Sequence, residues 1–355
     1  MVANEVHTRR VLKPGIAAPM PTFFTGDNED LDIEAFTKHV VRIAKAGVGI
    51  VIAGSMGEAH HLTSAERSTL IRSAREALDA AGLHDVPIVA GTGLAGTRVT
   101  IELTREAAAA GADYAIVISA GYFVGALANN KEAQKQLFTD VADASPIPVI
   151  IYNYPGATGG LDLESDVISE LAMHPNICGV KLTCGNVGKL TRIAAAVAAP
   201  GFAEEYPRTN TLVPGETPFL VYGGFIDFLV PSLAAQAHGA ITGLANIAPY
   251  SIAKMYELAV KAFTDPSKGS QYLAEAQELQ GVIADADRTI ALAGIPGTKY
   301  LLEKLHHYGG APRKPVLRLS QKQEEALWAH PHTEAIVKLE ESLAPKKALT
   351  NGHTV

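Results

Sequence analysis

The chain has 355 residues, of which 47% are hydrophobic and 19% charged, with a formal net charge of −7. A net negative balance gives no general attraction to phosphate backbones or anionic lipids, so neither nucleic acid nor a membrane surface is an expected partner. The apolar runs are strand-sized, well short of the ~18 residues a membrane span needs.

In chain order, residues 1–13 place Arg9 beside Arg10 with no apolar run after them, which reads as a disordered leader rather than a secretory signal. From Gly15 onward, short β-branched runs alternate with Ala-rich stretches of helical period. The strand candidates are 15–22, 48–54, 86–91, 113–119, 147–153, 177–183, 219–224 and 239–243. Nearly all lack polar alternation, as strands buried on both faces should. Between them, helices are predicted to start at Asp32, Ser64 and Thr97, with Arg67 at the third position of the second. Gly47, Gly82 and Gly111 stand where helix C-caps need positive φ. Eight such units in succession predict an α/β fold, a TIM (β/α)8 barrel over 14–245. Beyond it the pattern is helical only, at 246–263, 269–293, 297–307 and 321–343. This predicts a C-terminal helical appendage over 246–343 and a disordered tail at 344–355.

Functional groups of such barrels lie at the C-terminal ends of strands, and the reactive side chains were sought there. Strand two ends in Gly54-Ser55-Met56-Gly57-Glu58, a glycine turn able to aim N–H groups at a small anion. Strand five ends at Tyr152 and strand six carries Lys181 inside the apolar run Gly179-Val180-Lys181-Leu182-Thr183. A lysine there is ion-paired, snorkelling, or desolvated and neutral as a Schiff-base amine must be; the tyrosine is either a core phenol or a proton carrier. Glu58-Ala59-His60-His61 lacks the i, i+4 histidine pair of a helical zinc site, so no metal is expected. GTGLAG at 91–96 has neither the P-loop lysine nor the later acidic residue of a dinucleotide fingerprint and reads as a barrel loop. Cys178 and Cys184 are too few for a disulfide framework, and reduced thiols in a cytosolic protein are expected.

The ordered set GSMGE, YNYPGATGG, GVKLTCGN, GAITGLAN and GGAPRKP resembles the dihydrodipicolinate synthase and N-acetylneuraminate lyase superfamily over roughly residues 14–320. The resemblance implies that Lys181 forms an imine with the keto carbon of pyruvate, so that no cofactor is needed. It also implies that Tyr152 relays protons, and that Gly54, Ser55, Met56 and Gly57 receive the carboxylate. Tyr122 matches a tyrosine that reaches a neighbouring subunit's site, which implies a dimer or tetramer. Thr183, Gly224, Ile241 and Ala157 are the further substrate-contact positions it marks. Three departures bear on substrate, the first being Met56 in place of the hydroxyl or amide usual in the glycine turn, which weakens one polar contact and narrows the pocket. Ala157 stands where the synthases carry an arginine for a second carboxylate. Gly224-Phe225-Ile226 stands where the lyases carry acids for sugar hydroxyls. The style resembles the fungal aldolase branch, implying cleavage of a 2-keto-3-deoxy sugar acid such as L-threo-3-deoxy-hexulosonate to pyruvate and an aldehyde. The alternatives are 4-hydroxy-2-oxoglutarate cleavage, a synthase-like condensation, and a non-catalytic keto-acid binder.

Overall fold

The computed structural model describes residues 10–94, 96–208 and 219–345. Eight parallel strands close a barrel in sequential order: β1 (Gly15–Pro19), β2 (Gly49–Ile52), β3 (Ile88–Gly91), β4 (Tyr114–Ile118), β5 (Val149–Asn153), β6 (Ile177–Leu182), β7 (Leu220–Gly223) and β8 (Gly239–Ile241). Each lies within one of the eight predicted runs. The barrel interior is filled by a layer that includes Val51, Val89, Ile116, Ile150, Leu220 and Ile241, so it is a packed core and not a pore.

The helices between the strands are α1 (Ile33–Lys45), α2 (Ser64–Ala80), α3 (Thr97–Ala109), α4 (Lys131–Ala144), α5 (Ser165–Leu171), α6 (Val187–Val197) and α7 (Leu229–Ala234), with shorter helical turns in the loops. Asp32 caps α1 as expected, accepting from Ala35 N at 2.9 Å. The other two predicted starts shift by one residue. Thr63 caps α2 in a reciprocal box with Glu66, whose carboxylate accepts from Thr63 N at 2.8 Å, while the Ser64 hydroxyl donates to Glu106 instead. Gly96 precedes α3 without any side-chain cap, and Thr100 closes that end by accepting from Leu94 N at 3.1 Å. Gly47, Gly82 and Gly111 take φ of 76°, 74° and 105°.

The leader reading needs correction at its end. Arg10 pairs with Asp113 at 3.2 Å, Leu12 N donates to the Tyr114 hydroxyl at 3.0 Å, and the Tyr222 hydroxyl donates to Lys13 O at 3.1 Å, so residues 10–13 pack across the N-terminal end of the barrel. Residues 1–9 and 346–355 lie outside the described residues. A two-residue antiparallel hairpin, Phe24–Thr25 with Asp30–Leu31, was not foreseen, since two residues are too short to carry a period.

After the barrel come α8 (Pro249–Thr264), α9 (Gly269–His306), α10 (Gln321–Trp328) and α11 (Pro331–Leu343). The single helix expected over 321–343 is two, because Pro331 takes the first helical position of α11 and keeps His330 out of helical conformation. The break expected between 293 and 297 falls inside α9 at Gly294, whose φ of 63° and ψ of −154° belong to a region open essentially to glycine alone. Pro296 follows. Replacing Gly294 with alanine is expected to cost ~1–3 kcal/mol, read as a lower thermal unfolding midpoint. No described helix is long and apolar enough to cross a membrane.

Candidate active site

Tyr152 on β5 and Lys181 on β6 are register partners at the C-terminal mouth of the barrel, 6% and 5% exposed. Lys181 Nζ lies 4.4 Å from the centroid of the Tyr152 ring. Three lysines are buried among the described residues, and two are neutralised: Lys299 pairs with Glu58 at 2.9 Å and Lys189 with Asp162 at 2.5 Å. Lys181 forms no ion pair among the described residues, and burial alone pulls its pKa down to about 7. The choice left open by the sequence between a paired and a desolvated lysine therefore resolves to the second.

Burial raises the Tyr152 phenol above its usual range, while the nearby Ser55 and Thr183 hydroxyls pull the other way. Its ring stacks on Tyr154, centroids 5.7 Å apart, which fixes its plane. Gly224 is required beside it: a Cβ there would come within 2.0 Å of Thr183 Oγ1.

The glycine turn works differently from expectation. Its left-handed residues are Ala53 (φ 53°) and Glu58 (φ 54°), and the glycines are not. Gly57 serves close approach, since a Cβ there would stand 2.8 Å from Met20 O. Glu58 is fully committed: one carboxylate oxygen accepts from Lys299 Nζ at 2.9 Å, the other lies 3.0 Å from His61 Nδ1 and accepts from Arg313 N at 2.8 Å. The tempting Glu58-His60-His61 cluster is thus an anchor between the turn and the C-terminal helices. Among the described residues no group of three or more His, Cys, Asp or Glu is placed to hold a metal.

Two lobes of about 370 and 280 Å³ meet at Ser55, Tyr152 and Ile295. Met56, Lys181, Thr183 and Gly224 line the larger; Gly54, Tyr122 and Ala157 line the smaller. Two predicted contact positions lie elsewhere. Ile241 is packed in the interior layer, with Gly243 and Leu244 reaching the cavity beyond it, and Gly57 is buried behind the turn. Tyr122 sits at the rim, 86% exposed and edge-on to the 52% exposed Phe123, with centroids 5.2 Å apart.

Sequence reasoning missed the cavity wall contributed by α9, including Asp287, Arg288 and Ile295. This helix is kinked at Gly294, which itself lines the larger lobe. Asp287 is 5% exposed, and one of its carboxylate oxygens accepts from Ile226 N at 3.2 Å. Burial, then the neighbouring Asp227, raises its pKa to about 7. The only local signal for this region was the glycine–proline punctuation at 294–296, which marks a kink and says nothing of what the kink faces.

The chain is 43% identical over 325 residues to an L-threo-3-deoxy-hexylosonate aldolase of Aspergillus niger, covering 89% of this chain and 93% of that protein. It is 41% identical to a protein of Emericella nidulans named as a probable mitochondrial 4-hydroxy-2-oxoglutarate aldolase, covering 90% and 94%. The structure matches a dihydrodipicolinate synthase family protein from Coccidioides immitis with a TM-score of 0.75 at 33% identity, over 94% and 99% of the two chains. The sequence model of the dihydrodipicolinate synthetase family matches residues 13–330. With barrel, strand-end lysine and relatives in agreement, the chain belongs to the dihydrodipicolinate synthetase family.

Proposed function

We propose that this protein is a class I aldolase that cleaves a 2-keto-3-deoxy sugar acid, of the L-threo-3-deoxy-hexulosonate kind, to pyruvate and an aldehyde through an imine on Lys181. The observation that carries the reading is the buried lysine, without a counter-charge among the described residues, in register with a buried tyrosine at the barrel mouth. A pure keto-acid binder has no use for a neutral amine, which costs desolvation to maintain.

In this mechanism the neutral Nζ adds to the keto carbon C2, and uptake of one proton with loss of water leaves a protonated imine, the proton being returned when the imine is hydrolysed. The proton of the C4 hydroxyl passes to the Tyr152 oxygen as the phenol hands its own proton to the Ser55 hydroxyl, which releases its proton to water; C3 later draws a proton back along the same relay. The C3–C4 bond breaks, its electron pair is delocalised onto the imine nitrogen as an enamine, and C4 departs as the aldehyde. Protonation at C3 and hydrolysis of the imine release pyruvate and free the amine. Ser55 and the N–H groups of its turn hold the C1 carboxylate so that the imine plane is set before bond cleavage. The lysine is the electron sink, so no cofactor is required on this reading.

A cytosolic homo-oligomer belongs to the same proposal. An exposed Tyr122–Phe123 pair at the cavity rim is apolar surface of the kind partners cover, supporting a neighbouring copy there. Light scattering on the purified protein would read a dimer or tetramer; a monomer would remove this part.

One observation favours a second substrate. Arg288 lines the same lobe as Lys181 and could meet the second carboxylate of 4-hydroxy-2-oxoglutarate. The deciding experiment measures pyruvate release, coupled to lactate dehydrogenase, from L-threo- and D-erythro-3-deoxy-hexulosonates, 4-hydroxy-2-oxoglutarate and N-acetylneuraminate. Fastest turnover of a hexulosonate is expected; turnover of none of the 2-keto-3-deoxy acids would overturn the reading, with or without a trapped imine.

A further inference from the structure

A six-carbon sugar acid brings hydroxyls on its tail, and the loop after β7 offers them only Gly224, Phe225 and Ile226. The missing polarity comes from another part of the chain. Asp287 of α9 lines the same lobe as Lys181 and Gly224, is almost fully buried, and is held rigidly by the Ile226 amide on one carboxylate oxygen. The smaller lobe is a poorer place for a polyol. Its acid, Glu58, is consumed by Lys299, His61 and Arg313, and Leu94, Ile118 and Ala157 contribute apolar wall. Polar groups do line it, His60, Tyr122 and Ser119 among them, and the Ser119 hydroxyl is buried there without a hydrogen-bond partner.

Resting on the aldolase reading above, we infer that Asp287 is a specificity residue: its carboxyl group takes the tail hydroxyls of the 2-keto-3-deoxy sugar acid and disfavours a substrate that ends in a second carboxylate. A carboxyl group accepts from, or when protonated donates to, a hydroxyl, whereas an ionised Asp287 repels a carboxylate. Asp227 beside it adds to that repulsion, and Arg288 at the exposed rim lies close enough to Asp227 to be partly neutralised by it. A buried polar group built for a substrate hydroxyl discriminates strongly, because a tail without that hydroxyl leaves it unpaired.

The test uses full-length Asp287→Asn, Asp287→Ala and Ser119→Ala proteins. For each, KM and kcat are measured with L-threo-3-deoxy-hexulosonate and with 4-hydroxy-2-oxoglutarate, alongside the rate of borohydride trapping with pyruvate, which has no tail. In Asp287→Ala the expected result is a KM for the hexulosonate raised by about tenfold or more, the scale of one lost substrate hydrogen bond. In both Asp287 variants the ratio of kcat/KM for hexulosonate over 4-hydroxy-2-oxoglutarate should fall by at least a similar factor, with pyruvate trapping unchanged. Asparagine keeps an acceptor for the Ile226 amide, so it separates substrate contact from support of the loop. Equal losses on both substrates and in trapping would make Asp287 merely structural, and an unchanged KM, or one that responds to Ser119→Ala instead, would place the tail in the other lobe. Either outcome overturns the inference while leaving the aldolase reading intact. A wild-type protein that traps pyruvate yet cleaves no 2-keto-3-deoxy acid overturns both.

Discussion

Lys181→Ala is expected to abolish pyruvate release and borohydride trapping while the protein still folds. No other amine could replace Lys181: the two other lysines buried among the described residues are locked in ion pairs with Glu58 and Asp162. Ordinary lysine at pH 7 is neutral in roughly one molecule in 3,000, and a pKa of about 7 raises this to about half, so burial alone supplies a factor of roughly 10³ in nucleophile. The sign of the pH dependence follows. Trapping should slow about tenfold per pH unit below 7, where the amine is protonated, and level off above it. The same burial is a stability cost, fully present below pH 7 and vanishing as pH rises toward the ordinary lysine value, because the unfolded chain binds that proton more readily. Lys181→Met, uncharged and similar in volume, should therefore unfold a few degrees higher than wild type at neutral pH while being equally inactive. Turnover surviving in either variant would sink the imine mechanism. Loss of activity with a collapsed circular dichroism spectrum would make the lysine structural.

Tyr152→Phe should lower kcat by about 10²-fold or more, the scale of a lost acid–base group. The substitution removes only a hydroxyl: the ring is 6% exposed and stacked on Tyr154, so phenylalanine keeps the packing, and thermal unfolding should move little. The loss should fall on kcat more than on KM, because the phenol acts when the C4 proton moves and makes no demand on the substrate tail. The Lys181 environment is largely preserved, since Nζ faces the ring at 4.4 Å and phenylalanine also presents a ring. Imine trapping should consequently persist at a reduced rate. A kcat within twofold of wild type would remove Tyr152 from the chemistry and point to Ser55 acting through another route.

The strand-end positions of these two residues were legible before any coordinates, because a lysine or tyrosine stands out in the apolar run of a barrel strand, while the roles expected of them rested on the family resemblance. The same logic located all eight strands. It failed at Ile241, which ends a strand but faces the packed interior, because alternation along a three-residue strand cannot say which side faces the mouth. It also failed for the glycine turn, where the left-handed positions are Ala53 and Glu58: close approach to Met20 O, invisible in sequence, is what demands Gly57. The start of α2 slipped by one where two hydroxyl residues competed, and the side chain that found its partner, Thr63 with Glu66, became the cap.

The sequence by itself determined the barrel, the strand-end positions of Lys181 and Tyr152 and the family, since each rests on local period or on a motif contiguous in the chain. Whether Lys181 was paired or bare was decided only by tertiary structure, because a counter-charge can come from anywhere: Glu58 finds Lys299 some 241 residues away. So was the wall facing the substrate tail. Asp287 lies on a helix beyond the barrel that lines the cavity beside Lys181, and such long-range closure leaves no period for the sequence to display.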